Sequence, residues 1–181
     1  RFMLALKAVL AGADPVPEND SHGELIFNIA EYYRYTGDKA FLRKMWPHVQ
    51  GAFAYMEELR LSERTEANRA VNAAFYGMMP ASISHEGYSA KPMHSYWDNF
   101  WALRGYKDAV EVADALGETA ESKRMAASRD QFRDDLYASL QAATKLHGIT
   151  YLPGAAEIGD FDPTSTTIAL APGGEQGKLP A

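Results

Sequence analysis

The chain has 181 residues, with 18 Lys and Arg against 24 Asp and Glu, a formal net charge of −6, 46% hydrophobic residues and no cysteine. An acidic chain lacks the basic stripe that neutralises phosphates, so nucleic acid is not an expected partner. The missing cysteines exclude disulfides, thiolate metal sites and a cysteine nucleophile, and no run of about 18 apolar residues suggests a membrane span.

Taken in order, Phe2, Ala5, Leu6 and Val9 fall at helical spacing, and Gly12, Pro15 and Pro17 end that run. After a loop over 15–19, Asp20 or Ser21 can cap a helix reaching about Tyr35, with Leu25, Ile26, Ile29 and Tyr33 inward. Gly37 is placed to end it in a left-handed turn, and Asp38 to cap the next helix. That helix starts near Lys39 and carries Phe41, Leu42 and Met45. Pro47 either kinks it or opens a new first turn, and Val49, Phe53, Met56 and Leu59 continue the stripe to an end between Leu61 and Ala67.

Pro80, Pro92, Gly77 and Gly87 then forbid a continuous helix, so most of 76–94 is expected to be loop. Its rings argue for a binding loop over a solvated linker. Ser95 opens an aromatic-rich helix over about 96–116 with Phe100, Leu103, Val110 and Ala113 inward, and Gly117 closes it. A fifth helix is expected over about 119–140, with Met125, Phe132, Leu136 and Leu140 inward and a solvated, mixed-charge outer face. The stretches 148–152 and 166–170 are short β-prone patches that form either a small accessory pair or no strand at all.

The junctions YTGDKAF and ALGETAE place Gly37 and Gly117 at equivalent points of two helical hairpins. Paired long helices with short turns at one end and a long loop at the other suit a helical toroid or solenoid, with an ordinary bundle as the alternative. The chain starts at Arg1 and its tail APGGEQGKLPA closes no element, so 1–181 is expected to be a single partial domain from a longer chain.

Three stretches carry a family likeness: YRYTGDKAFLRKMWPHVQGAFAYMEELR, MPASISHEGYSAKPMHSYWDNFWALRGYKDAVEVADALG and IGDFDPTSTTIAL. Together they resemble the six-hairpin glycosidases, the (α/α)6-toroid enzymes related to glucoamylases, trehalases and α-L-rhamnosidases, most specifically at HSYWDNFWAL. The resemblance spans roughly 24–170. It implies an all-α fold with about five of a toroid's twelve helices, and part of a glycoside hydrolase that acts on an oligo- or polysaccharide without a cofactor. It also implies contact with the rest of the parent chain or self-association, and leans towards a periplasmic or extracellular setting.

Glycoside hydrolysis needs two carboxyl groups, one protonated to assist the leaving oxygen and one ionised to activate water or attack. Glu86 and Asp98 are the catalytic candidates, ahead of Asp160, Asp162 and the outlying Glu175. Glu86 sits in the aromatic loop, where partial desolvation raises a carboxyl pKa; the alternative is a hydrogen-bond partner for a backbone amide or sugar hydroxyl. Ser95-x-x-Asp98 fits a capping box, so Asp98 has an equally good structural reading.

His85, Tyr88, His94, Tyr96, Trp97, Trp101, Asp160 and Asp162 are the substrate-binding candidates. The rings can stack on a sugar face and the polar groups can take its hydroxyls, with core packing or a turn as the competing reading. Metal chemistry is not expected. SHEGY lacks the H-E-x-x-H spacing, and Asp160-x-Asp162 lacks the rest of a calcium loop. GGEQGK misses the first glycine and the Ser/Thr of a phosphate loop, and no G-x-S-x-G elbow occurs.

Two further readings are a non-catalytic carbohydrate-binding or scaffold module, and a helical-toroid polysaccharide lyase drawing on Tyr88 and Lys91. The working expectation is that His85, Glu86, Tyr88, Trp97 and Asp98 line one pocket.

Overall fold

The computed structural model describes residues 18–84 and 87–180, so the helix expected over 2–10, most of the loop at 15–19, and the candidates His85 and Glu86 lie outside the described residues. Among the described residues six α-helices follow in order: α1 (Ser21–Thr36), α2 (Lys39–Glu63), α3 (Glu66–Val71), α4 (Tyr96–Leu116), α5 (Thr119–His147) and α6 (Pro163–Thr167), with a 3-10 turn at Ala73–Phe75 before the long loop. With 65% helix and no sheet among the described residues, the fold is all-α.

The helix ends follow local chemistry. Gly37 and Gly117 both adopt left-handed conformations, at φ 66° and 76°, and close α1 and α4 as their sequence contexts predict. The Asp38 side chain accepts the Phe41 amide to start α2.

Pro47 neither ends α2 nor starts a new helix, for a single helix of 25 residues runs through it. The proline is exposed while Met45, Trp46 and Val49 are buried around it, so the apolar face holds the helix together across the missing amide. Helix α5 continues past its expected end to His147, where Gly148 turns it at φ 63°. The accessory β pair is absent: 166–170 extends from α6 into turns, and the described strand pairing is confined to isolated bridges, Ser82 with Met93 and Ser95 with Ala155.

Inter-helix bonds fix the arrangement. Asp20 meets Trp97 near the start of α1 and α4, and Arg34 meets Asp108 and Glu111 near their ends, so α1 and α4 run parallel. Glu57 meets Ser128, Arg60 meets Gln131 and Arg64 meets Asp135, so α2 and α5 also run parallel. The result is two antiparallel hairpins, α1–α2 and α4–α5, side by side in the same orientation. Ile26, Ile29, Leu42, Phe53, Phe100 and Phe132 fill the space between them.

Helices α1 and α4 approach closely because glycines face each other. A Cβ on Gly23 would overlap the Trp101 carbonyl oxygen, and one on Gly105 would come within 2.6 Å of the Gly23 Cα.

Candidate functional site

The close pairing of α1 with α4 puts two stripes of side chains edge to edge. Asp20, Glu24 and Phe27 recur at i, i+4 and i+7 on one helix, as do Trp97, Trp101 and Arg104 on the other. The rungs are explicit: Trp97 Nε1 donates to Asp20 Oδ2 at 2.7 Å, Phe27 meets Trp101 edge-on with ring centroids 5.5 Å apart, and the Arg104 guanidinium lies 5.4 Å from the Phe27 ring. Trp97 and Trp101 themselves meet edge to face at 6.2 Å. Helical register places Glu24 between the first rung and the second. One wall is therefore acidic and the other is built of indoles.

Asp20 occupies the N-cap position of α1, but its side chain makes no capping bond. Its carboxylate is turned to Trp97 and to the Ser21 hydroxyl, at 3.3 Å, a cost to the helix end that a purely structural cap would not carry. The turn before α1 is also pinned from the loop, since the Asn19 amide side chain donates to the Pro80 carbonyl at 2.8 Å.

Asp98 departs from the expected capping box. Ser95 does cap α4, through the Trp97 amide at 3.2 Å, and its hydroxyl also bonds Ser84 at 2.8 Å. Asp98 does not reach back to the cap; it accepts the Ser82 hydroxyl on Oδ2. Burial first and the Asp20 charge second push its carboxyl up to about 8, against the opposing pull of Ser82, Ser84 and the Asn19 amide. With 0% of its surface exposed, Asp98 meets no ligand directly.

Glu24 was not among the residues singled out from sequence. It is partly exposed, and burial, Asp20 and Glu18 all push its carboxyl up, to about 7, with nothing among the described residues pulling it down. Its signal in the chain is only an acid in the first turn of a helix, which is ordinary at a positive helix terminus. What is unusual is a second carboxylate one turn away at i, i+4, a destabilising pair on an isolated helix.

The other candidates scatter. Tyr96 is wholly buried, its hydroxyl bonded to Ser139 at 2.9 Å, so it is core and faces no opening. His94 stacks on Phe75 at 4.2 Å and pairs with Glu157 at 2.6 Å, which makes it a clamp between the loop and the 157 turn. The Tyr88 hydroxyl donates to Asp160 at 2.9 Å. Burial, that bond and the charges of Asp160 and Asp162 raise its pKa, the reverse of what a lyase base needs, so the lyase reading gains no support. Asp160 also takes the Ala155 amide, and Asp162 caps α6 through the Thr164 and Ser165 amides, the turn role weighed for it from sequence. Glu175 is buried and bonded to Lys107 and Tyr137.

Of the five residues expected to share a pocket, Trp97 and Asp98 lie near the α1–α4 contact and Tyr88 belongs to the Asp160 turn. A separate pocket of about 410 Å³ is lined by Leu140, Gln141, Thr144, Ile149, Tyr151 and neighbours, and holds no carboxylate. No group of acids and histidines among the described residues is arranged to hold a metal ion. No family model, curated protein or solved structure matches the chain.

Proposed function

We propose that the chain is a carbohydrate-active domain, part of a glycoside hydrolase of the six-hairpin kind, with its site at the start of α1 and α4. The observation that carries this reading is the seam along which the acids of α1, Asp20 and Glu24, run beside the indoles of Trp97 and Trp101 on α4. Carboxylates accept sugar hydroxyls and aromatic faces pack on sugar C–H groups, so the two walls together suit a pyranose ring. Carboxyl groups with unlike environments at one site are also what acid–base cleavage of a glycoside requires. Two parallel hairpins with adjacent first helices support placement in an (α/α)6 toroid, whose inner helices would be α1 and α4. In this reading Asp20 contacts the sugar, Asp98 positions Asp20 from beneath, and Glu86 stays the sequence's candidate for the second catalytic carboxyl.

The test is a panel of aryl glycosides and oligosaccharides assayed for turnover and, by calorimetry, for binding. The expected result is cleavage of at least one glycoside class, with Trp97→Ala weakening substrate binding about tenfold or more and Asp20→Asn removing turnover. A protein that neither binds nor cleaves any member removes this reading. Binding without turnover selects the second reading, a non-catalytic carbohydrate-recognition module, which the complete burial of Asp98 favours.

A further inference from the structure

After α5 the chain turns back on itself and is tied in place. His147 Nε2 lies 3.0 Å from the Ala156 carbonyl oxygen, and the Tyr151 hydroxyl donates to the Gly159 carbonyl at 3.0 Å. This knot of chain leaves Leu146, Ile158 and Phe161 exposed, Phe161 to 71%. Every other described phenylalanine is buried or half-buried. A fixed, well-tied segment that holds one ring out in water is a place where a partner covers it.

Beside this ring there is a hole. A pocket of about 410 Å³ between the last turns of α5 and the 149–152 stretch is lined by Leu140, Gln141, Thr144, Ile149, Tyr151 and Pro180. Its volume falls within the roughly 300–1,000 Å³ that hold a small ligand, so one aromatic side chain enters with room at the mouth. Tyr151 belongs to both features, for it lines the pocket and its ring meets Phe161 edge-on with centroids 5.4 Å apart. Phe161 does not line its own pocket, so knob and hole stand side by side on one face.

The charges beside them are opposite in sign. Phe161 stands between Asp160, which accepts the Tyr88 hydroxyl and the Ala155 amide, and Asp162, which accepts the Thr164 and Ser165 amides. These neutral donors fix both carboxylates without cancelling their charge. The pocket is bordered by lysines instead: Lys145 lies one turn beyond Gln141 on the same stripe of α5, and Lys178 lies two residues before Pro180. Both lysines are exposed, and neither side chain is paired with a described residue.

We propose that this face joins two copies of the chain in an isologous dimer. The Phe161 ring of each copy sits in the other's pocket, with Asp160 and Asp162 facing the partner's Lys145 and the partner's Lys178. A two-fold axis makes every contact twice from a single patch, which requires that knob and hole lie on the same patch, as they do here. A small ligand would fill the hole and leave the ring and the lysines unmatched, whereas a second copy matches all three. The patch stands at the end of the α4–α5 hairpin, where 154 and 156 also bond the start of α4. The flanks of the hairpins stay free for the further hairpins of a toroid, and the dimer does not depend on the glycosidase reading.

Sedimentation velocity on the whole 181-residue chain over a range of concentrations tests the dimer. The expected result is a monomer–dimer equilibrium that stops at two, with Phe161→Ser and Lys145→Glu each weakening it about tenfold or more. Gln141→Trp, which plugs the mouth of the pocket, weakens it too. Mixing that variant with Phe161→Ser should give a heterodimer tighter than either variant forms alone, because the ring of the plugged copy still fits the open pocket of the other. All three positions are exposed, so the variants keep the wild-type circular dichroism. A chain that is monomeric at every concentration leaves the pocket to a small ligand and overturns the dimer. So does association that continues past two, association that Phe161→Ser or Lys145→Glu leaves unchanged, or a mixture with no gain.

Discussion

Asp98 couples the α1–α4 contact to pH. Its ordinary value is 3.8 and its folded value is raised to about 8, so folding favours its protonated form. Stability from this group is complete below 3.8 and is lost as pH rises to about 8; Glu24, raised to about 7, adds in the same direction. The urea midpoint of the wild type should therefore decline across that window, and Asp98→Asn, which is neutral throughout, should flatten much of the decline. A midpoint that climbs over the same window would show that the unfolded chain, not the fold, holds these protons more tightly.

Arg60 is a different kind of buried charge: 2% exposed, it is satisfied by Glu57 and Gln131, and Glu57 also takes the Tyr106 and Ser128 hydroxyls. Arg60→Ala leaves that carboxylate without its cation and should cost about 3 kcal/mol, measured by chemical denaturation. This network lies on the α2–α5 side, away from the α1–α4 contact, so sugar binding in the folded fraction should not change.

At the scale of elements, the approach of α1 to α4 sets how Asp20 and Trp97 meet. Gly23 and Gly105 set the distance, and a methyl at Gly23 has backbone atoms in its path with no flexible side chain to move aside. Gly23→Ala should destabilise by about 1–3 kcal/mol and, by shifting Asp20 from Trp97, weaken any sugar binding as well. Tryptophan fluorescence reports that second effect directly, because the Trp97 bond to Asp20 is lost if the helices separate. If the variant matches wild type in both stability and emission, the glycine contact is not what sets the spacing. The start of α4 is held from another direction by the 154–156 stretch, where Tyr96 donates its amide to Gly154 and Ala156 donates to His94.

Considered whole, the molecule exposes large apolar side chains that no described element covers, among them Tyr35 at 83%, Val71 at 78% and Phe161 at 71%. Phe161 packs edge-on to the part-exposed Tyr151 with centroids 5.4 Å apart, and Leu146 and Ile158 are exposed as well. Apolar surface of this kind favours association. Sedimentation velocity at rising concentration should show self-association, reduced by Phe161→Ser, whereas a single monomer species at every concentration would mean that these side chains are tolerated singly by the solvent.

The sequence by itself determined what depends on neighbours along the chain. Helix period, the glycine caps at 37 and 117, the Asp38 cap, the loop over 76–94 and the all-α class follow from residues within a few positions of one another. At Pro47 the chain left a kink or a new first turn open, and it was the burial of Met45, Trp46 and Val49 in the fold that carried one helix through it.

The site was legible only in part. Trp97 and Asp98 stood out through their neighbours in the chain, but Ser95-x-x-Asp98 pointed to a capping box that the Ser82 hydroxyl supersedes, and Tyr96 looked no more buried than Trp97. Tertiary structure decided the rest. A carboxyl's protonation depends on its depth from water and on which charges share that depth, and these come from the packing of α1 on α4. Glu24 reads in the sequence as a helix-start acid; its carboxyl is raised because folding buries it beside Asp20 and Glu18, while Arg104 on the facing stripe is tied to Asp108.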